Sequence, residues 1–390
     1  MSISNAIVVG GGIGGLAVAA LMARRGVAVT VLEQAEALRE VGAGLQVSPN
    51  GMAVLRSLGL ETQLPTKEAV RGRAVVLRDS KIGKQVARLD LTRLRPDQPY
   101  AFLHRADLID LLAGAAKRAN VTFEMGAQVA AVRTGATPQV QLTDGSTRRA
   151  ELVIAADGIH SVARTALNGP DQAHFSGQVA WRAMIDNTIG HTDEVQVHMG
   201  PGRHLVSYPL RGGRLINLVA VEERSDWAAE GWQRPGDVKA LRDAFAGFGG
   251  QASLMINAVN AVTLWGLHLH PVAATWHHEG VVLLGDAAHP TLPFLAQGAN
   301  LALEDAWVLA DTALRDVDMA QYQATRMPRV TRVINAAEVN AWRYHLHPGM
   351  LRTCAHLGLR CASRVLPGRM LGAFDWLYGF DVTAQSTSQH

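Results

Sequence analysis

Three sets of residues have types and spacings that could do chemistry. The first is Gly10, Gly12 and Gly15, with Gly14 between them, directly after the apolar run 6–9. In this spacing the first glycine permits a tight turn and the second lets backbone approach a pyrophosphate. The third lets the next helix pack closely on a sheet, and the N-terminus of that helix receives the phosphate charge. A second apolar run, 27–32, ends at Glu33, about twenty residues on, where a carboxylate can accept both hydroxyls of an adenosine ribose. The motif serves NAD and FAD alike. The second set is two acids at the ends of apolar runs: residues 151–156 stop at Asp157-Gly158, and 281–284 stop at Gly285-Asp286. Charged residues there lie at the carboxyl edge of a parallel sheet, where open α/β folds bind ligands. The plainer alternative, Asp157 capping a helix and Gly285 relieving a bend, stays open on these residues alone. The third set is His204 and Tyr208, in a short apolar stretch that reads as a strand. His204, Val206 and Tyr208 then share one face, which sets an imidazole beside a phenol.

Such groups need a scaffold, and the composition supplies one. The chain has 390 residues, 48% hydrophobic and 18% charged, with mean hydropathy +0.06, too apolar for a disordered chain and long enough for more than one lobe. Residues 300–314 have helical periodicity, with Leu303, Ala306, Ala310 and Ala313 on one face. The first turn, Gly298-Ala299-Asn300, therefore offers unpaired backbone N–H groups and the positive end of a helix dipole. The net charge is +3, with 32 Arg, 5 Lys and no long basic run, which does not fit nucleic-acid binding. Residues 6–22 are uncharged but hold five glycines, with Arg24 and Arg25 on the wrong side for a secretory signal, so they read as strand, turn and helix rather than a membrane segment. Cys354 and Cys361 make neither a disulfide framework nor a zinc site. The expectation is a cytoplasmic protein without metal, monomeric or homodimeric.

The combined pattern resembles the single-component, FAD-dependent class A aromatic hydroxylases with the p-hydroxybenzoate hydroxylase fold. Besides the glycine motif, the resemblance rests on Gly42-Ala43-Gly44-Leu45-Gln46-Val47 with Pro49-Asn50-Gly51, on His104-Arg105-Ala106-Asp107-Leu108, and on Asp157-Gly158-Ile159-His160-Ser161. It extends through Gly285-Asp286-Ala287-Ala288-His289-Pro290, Gln297-Gly298-Ala299-Asn300 and Glu304-Asp305-Ala306. Within the family, the salicylate hydroxylase, 3-hydroxybenzoate 6-hydroxylase and 6-hydroxynicotinate hydroxylase branch is most similar, through Val179-Ala180-Trp181-Arg182, the block from Gly202 to Gly213, Gly231-Trp232 with Pro235-Gly236, and Trp376-Leu377-Tyr378-Gly379.

The resemblance implies an α/β fold in which a Rossmann-like FAD-binding domain (1–71, 99–175 and 262–344) is interleaved with a β-sheet substrate domain (72–98 and 176–261), followed by a C-terminal helical tail (345–390). It implies that Glu33 holds the FAD ribose, Arg105 lies along the cofactor, Asp286 takes the ribityl chain, and Asp157 belongs to the segment touching flavin and nicotinamide nucleotide. Gly10, Gly12, Gly14, Gly15, Gly285, Gly298, Ala299 and Asn300 complete the expected cofactor set. NADH or NADPH would reduce the FAD, oxygen would give a flavin C4a-hydroperoxide, and the ring of a phenolate would attack it. His204, with a pKa near working pH, is the expected base and Tyr208 the orienter for a hydroxylated aromatic carboxylate; a surface histidine and a packed tyrosine are the alternative. Gln46, Arg182, Pro293 and Phe294 are the expected substrate pocket, with His289 and Pro290 in a wall that keeps water out. Gln46 resembles the 3-hydroxybenzoate type, whereas Pro293 resembles the salicylate type, so the ring position stays open. A heteroaromatic substrate, N-hydroxylation, epoxidation or a non-catalytic flavin-binding protein are the alternatives, since fold does not fix substrate.

Overall fold

The computed structural model describes residues 3–38, 43–93, 99–170, 172–226, 234–315, 317–365 and 367–387. Gly42, Gly231 and Trp232 lie outside the described residues.

The apolar runs 6–9, 27–32, 152–155 and 281–284 become neighbours in one six-stranded sheet. Its order is His277–His278, Val281–Leu283, Leu152–Ala155, Asn5–Val9, Ala28–Glu33, Thr122–Met125, and all but the first pairing are parallel. Strands covered on both faces carry continuous apolar runs rather than alternation, as here. The chain leaves the central strand Asn5–Val9, turns at the glycines and enters the helix Ile13–Ala23, nearly all of which is buried. Because the next strand pairs on one side of Asn5–Val9 and Leu152–Ala155 on the other, the crevice beyond this strand is a topological switch point, the place where such sheets bind ligands. The turns at Gly10, at Asp157-Gly158 and at Gly285-Asp286 follow three strands adjacent in this sheet.

A second sheet has seven strands in the order Thr263–Leu269, His174–Asp186, Leu215–Glu223, Arg203–Leu210, Glu194–Gly200, Ala74–Asp79, Gln85–Asp90. Segments from both sides of the chain's long interruption meet in it, where Ala74–Asp79 pairs parallel with Glu194–Gly200. Thr263–Leu269, which the sequence reading grouped with the nucleotide-binding part, instead pairs antiparallel with the 13-residue strand His174–Asp186. That long strand has two edges of backbone donors and acceptors to satisfy, and Leu215–Glu223 occupies only one.

Two small sheets have no counterpart in the sequence reading. One is the meander Val129–Arg133, Gln139–Leu142, Thr147–Arg149; the other places Gly44–Val47 and Val70–Gly72 on either side of Tyr100–His104. The tail is helical, following a 26-residue helix, Met319–Tyr344, with Met350–Val365, Pro367–Gly372, Asp375–Tyr378 and Val382–Thr387. It is not peripheral: Leu377, Tyr378 and Val382 are buried in the main core.

Candidate active site

A cavity lies between the carboxyl edge of the parallel sheet and one face of the seven-stranded sheet. Gly12, Gly14, Arg105, Gly285, Asp286, Gly298 and Ala299 line its nucleotide side. Gln46, Arg182, His204, Tyr208, Pro293 and Phe294 line its other side. The strand Arg203–Leu210 delivers His204, Val206 and Tyr208 to the cavity together, as period-two geometry requires. Pro290 lines it as well, whereas Gly10, Gly15, Glu33, Asp157, His289 and Asn300 do not. Gly10, at φ +100°, makes the turn, and a Cβ there would stand 2.4 Å from the Ala156 carbonyl oxygen. Gly15 packs the helix on the strand, with a virtual Cβ 2.0 Å from the Gly10 carbonyl oxygen.

Glu33 accepts from the Gly11 N–H at 2.7 Å and from the Ala35 N–H at 2.9 Å, which fixes the carboxylate against the glycine turn. Asp157 accepts from Val162 N–H at 3.0 Å, the first residue of the helix Val162–Asn168, so the plainer helix-capping geometry is present. The Asn300 side chain is fully buried and ties helix to strand: it donates to the Gln46 and Ala296 carbonyls and accepts from Ser48 N–H at 3.0 Å. His289, expected in the wall with Pro290, is set behind it, bonded through Nε2 to Asp305 Oδ2 at 2.5 Å. A buried carboxylate captures the imidazole more strongly than an apolar wall would.

The nucleotide side fits FAD. Among the described residues, chain neighbours aside, a Cβ on Gly12 would meet no atom within 4 Å, so their packing does not explain a glycine at this cavity-lining position; space for a group lying against the backbone does. The helix Gly298–Leu314 begins at the cavity with Gly298 and Ala299, and among the described residues no side chain caps its first turn. Those backbone N–H groups are available to a negatively charged isoalloxazine edge or to phosphate. Burial pushes the Asp286 carboxyl up, with His289 and Arg105 pulling it back. Arg105 itself opens the helix Arg105–Arg118, its N–H held by the Ala43 carbonyl at 2.9 Å.

Charge states on the opposite side follow from burial. Burial, and then the neighbouring His345, hold His204 well below the ordinary histidine value, so the ring is neutral at pH 7. This corrects the expectation of a base titrating near working pH. Burial raises the Tyr208 hydroxyl, so it stays protonated, while Arg182 is pushed down only to about 10 and stays cationic. The Arg182 guanidinium lies 4.4 Å from the Trp265 ring centre, a cation–π contact that fixes it in the cavity wall. Gln46 Oε1 accepts a hydrogen bond from the Tyr100 hydroxyl at 2.7 Å, which leaves its amide N–H groups for the cavity. Sequence reasoning missed Trp265, His345 and Glu223. His345 bonds His204 across 141 positions, and no local spacing signals such a pair.

Comparison with known proteins fits this architecture. The family described as FAD binding domain matches residues 4–337. The chain belongs to that family and is an FAD-dependent aromatic monooxygenase. It is similar to a 3-amino-4-hydroxybenzoate 2-monooxygenase of Streptomyces platensis, 34% identical over 96% of this chain and 95% of the relative. It is also similar to a 3-hydroxybenzoate 6-hydroxylase of Klebsiella oxytoca, 31% identical over 97% of each chain. Among solved structures, a salicylate hydroxylase substrate complex superposes with a TM-score of 0.82, at 24% identity over 99% of this chain and 98% of the other, a likeness of fold. In this flavin monooxygenase no helix among the described residues is long and apolar enough to cross a membrane. Nor does any group of three or more His, Cys, Asp or Glu among them suit a metal ion.

Proposed function

We propose that the protein hydroxylates a small phenolic aromatic carboxylate, of the salicylate, hydroxybenzoate or aminohydroxybenzoate type, using NADH or NADPH and oxygen. The observation that carries this reading is the set of charge states in one cavity: a cationic Arg182, a neutral His204 and a protonated Tyr208. Arg182 supplies the counter-charge for a carboxylate, by charge-assisted hydrogen bonds. His204 accepts the proton of the ring hydroxyl, which makes the ring electron-rich, and Tyr208 and Gln46 donate to the oxygens and hold the ring in one orientation. Bound FAD, once reduced, would activate molecular oxygen, which supplies the atom transferred to the ring. Phe294, Pro293, Trp265 and Leu267 form an apolar wall that excludes water from the reacting centre. The backbone N–H groups of Gly298 and Ala299 and the side chains of Arg105 and Asp286 hold the cofactor. Glu33 and Asp157 act from outside this lining, on the adenosine ribose and on the loop that meets flavin and nicotinamide. The exposed thiols of Cys354 and Cys361 suit a reducing cytoplasm, and the exposed Met350, Leu351 and Leu357 of the same helix suit a homodimer over a monomer.

The test is a panel of aromatic acids, including salicylate, 3-hydroxybenzoate and 3-amino-4-hydroxybenzoate, assayed for stimulated NADH and NADPH oxidation with product identification. At least one phenolic carboxylate should give a ring-hydroxylated product. Stimulation by phenols lacking a carboxylate as strong as by those bearing one would overturn the reading.

A further inference from the structure

His204 is 1% exposed, yet it is not isolated. Its Nδ1 lies 2.7 Å from His345 Nε2, and His345 Nδ1 lies 2.8 Å from Glu223 Oε1. The His345 side chain is 2% exposed and that of Glu223 is 49% exposed, so three side chains lead from the cavity wall to water at a different face. Backbone holds the ends together. The Gly202 N–H donates to the His345 carbonyl at 3.1 Å, and the Glu223 N–H donates to the Gly202 carbonyl at 2.9 Å. Gly202 has φ +61°, in the left-handed region, and a Cβ there would come within 3.4 Å of the Glu223 carboxylate.

The acceptor at the outer end fixes every hydrogen in the chain. An ionised carboxylate can only accept, so His345 carries its proton on Nδ1 and presents a bare Nε2. His204 must then donate from Nδ1, which leaves its Nε2 bare on the cavity side. Burial disfavours a second proton on the His204 ring, so a proton taken up at Nε2 is matched by one passed on from Nδ1.

Resting on the proposed role of His204 as base, the geometry points to a proton path, His204–His345–Glu223, that carries the substrate's hydroxyl proton to solvent and returns a proton to the product. Outward, the phenol O–H proton goes to His204 Nε2, the His204 Nδ1 proton goes to His345 Nε2, and the His345 Nδ1 proton goes to Glu223, which releases it to water. One proton enters, one leaves, and the phenolate remains beside Arg182. Both rings now hold their protons on Nε2. The reverse transfer protonates the product oxygen and restores the starting tautomers without turning a ring. His345 and Glu223 are positioning residues, acting through His204. The groups facing them are Tyr344 and Phe294 against the His204 ring, and Arg203 and His347 near His345.

The experiment mixes the oxidised, FAD-loaded enzyme with the phenolic carboxylate that yields product and follows phenolate absorbance, comparing wild type with Glu223→Gln and His345→Ala. Ionisation of the bound phenol should slow by about 100-fold in each variant, the loss expected when a positioned proton acceptor is disabled. KM for the aromatic acid should hold, and added imidazole should restore the rate in His345→Ala. Glu223 sits at the surface, so Glu223→Gln reads the path even if the His345 variant does not fold. Wild-type ionisation rates and pH profiles in the variants, or no rescue by imidazole, would overturn the path alone, because wild-type hydroxylation still stands. Absence of product from any phenolic carboxylate would instead overturn the function reading, and the path with it.

Discussion

The molecule buries two clusters of titratable side chains built from similar residues, and they end differently. In the first, Glu304 and Asp305 are fully buried. Arg326 bonds them at 2.6 and 2.7 Å, Arg329 clasps Glu304 at 2.7 Å, and His289 closes on Asp305. Two carboxylates face two guanidiniums, and Asn50 takes a further carboxylate position at 2.6 Å. Arg329 also donates to the carbonyls of Trp376 and Leu377, so this cluster fastens the tail to the core. In the second, His204, His345 and Glu223 form a line with one end in the cavity and the other in water. A charge paired on all sides stabilises a fold and has nowhere to send a proton. Two uncharged imidazoles leading to a solvent-exposed carboxylate contribute less to stability and can conduct.

The largest effect should come from breaking the sealed cluster. Arg326→Leu leaves two buried carboxylates short of a partner, which costs about 3–5 kcal/mol, read by chemical denaturation of the FAD-loaded protein. Burial alone would raise both carboxyls, but Arg326 and Arg329 outweigh it at Glu304, and His289 and Arg326 at Asp305, so both sit below their ordinary values of 4.5 and 3.8. A carboxyl lowered by folding contributes stability that is present above its unfolded value and is lost as pH falls through the folded one. Wild type should therefore lose stability below about pH 4.5, and Arg326→Leu should show less of that acid dependence. An unchanged denaturation midpoint would erase the contrast between the clusters.

A cation in the cavity should behave in the opposite way. Arg182 is pushed down by burial first, so its charge costs stability at neutral pH instead of adding it. Arg182→Met is expected to leave FAD content and the denaturation midpoint intact or slightly improved. It should raise KM for the aromatic acid by roughly 10- to 100-fold, the worth of about 1.5–3 kcal/mol for hydrogen bonds to a charged group. A variant that unfolds without a change in KM would place Arg182 with the sealed cluster.

The contrast also shows how far the sequence could be read. The nucleotide side was legible because its constraints are local: Gly10, Gly12 and Gly15 sit within one turn, and Glu33 and Asp286 end apolar runs. His204 and Tyr208 were legible for the same reason, since alternate residues of one strand share a face. Asn300 and His289 were read toward the cavity, yet each is taken by a buried partner from elsewhere, the Ser48–Gln46 backbone and Asp305. The placement of Thr263–Leu269 depended on which edge of a distant strand lacked a partner. His345 was counted as the first residue of a tail, whereas it closes the helix Met319–Tyr344 and is held beside His204 by the turn at Gly202 and by the Tyr344 ring packed on His204. Short-range geometry survives translation from sequence, whereas the long-range pairing that closes a proton path does not.

The smallest effect concerns Asp286, an acid that belongs to neither cluster. Burial raises its carboxyl, and His289 and Arg105 offset this only in part. An acid raised by folding costs nothing below its unfolded value, 3.8, and costs progressively more as pH rises through the folded one. Asp286→Asn should accordingly stabilise the FAD-free protein slightly at neutral pH, with the gain fading as pH approaches 3.8, while the same variant retains FAD less tightly. Melting curves of the FAD-free and FAD-loaded forms across that pH range read both changes. If Asp286→Asn destabilised the FAD-free form, the carboxylate would be serving the fold, as Glu304 and Asp305 do, and not a ligand that the cavity is shaped to receive.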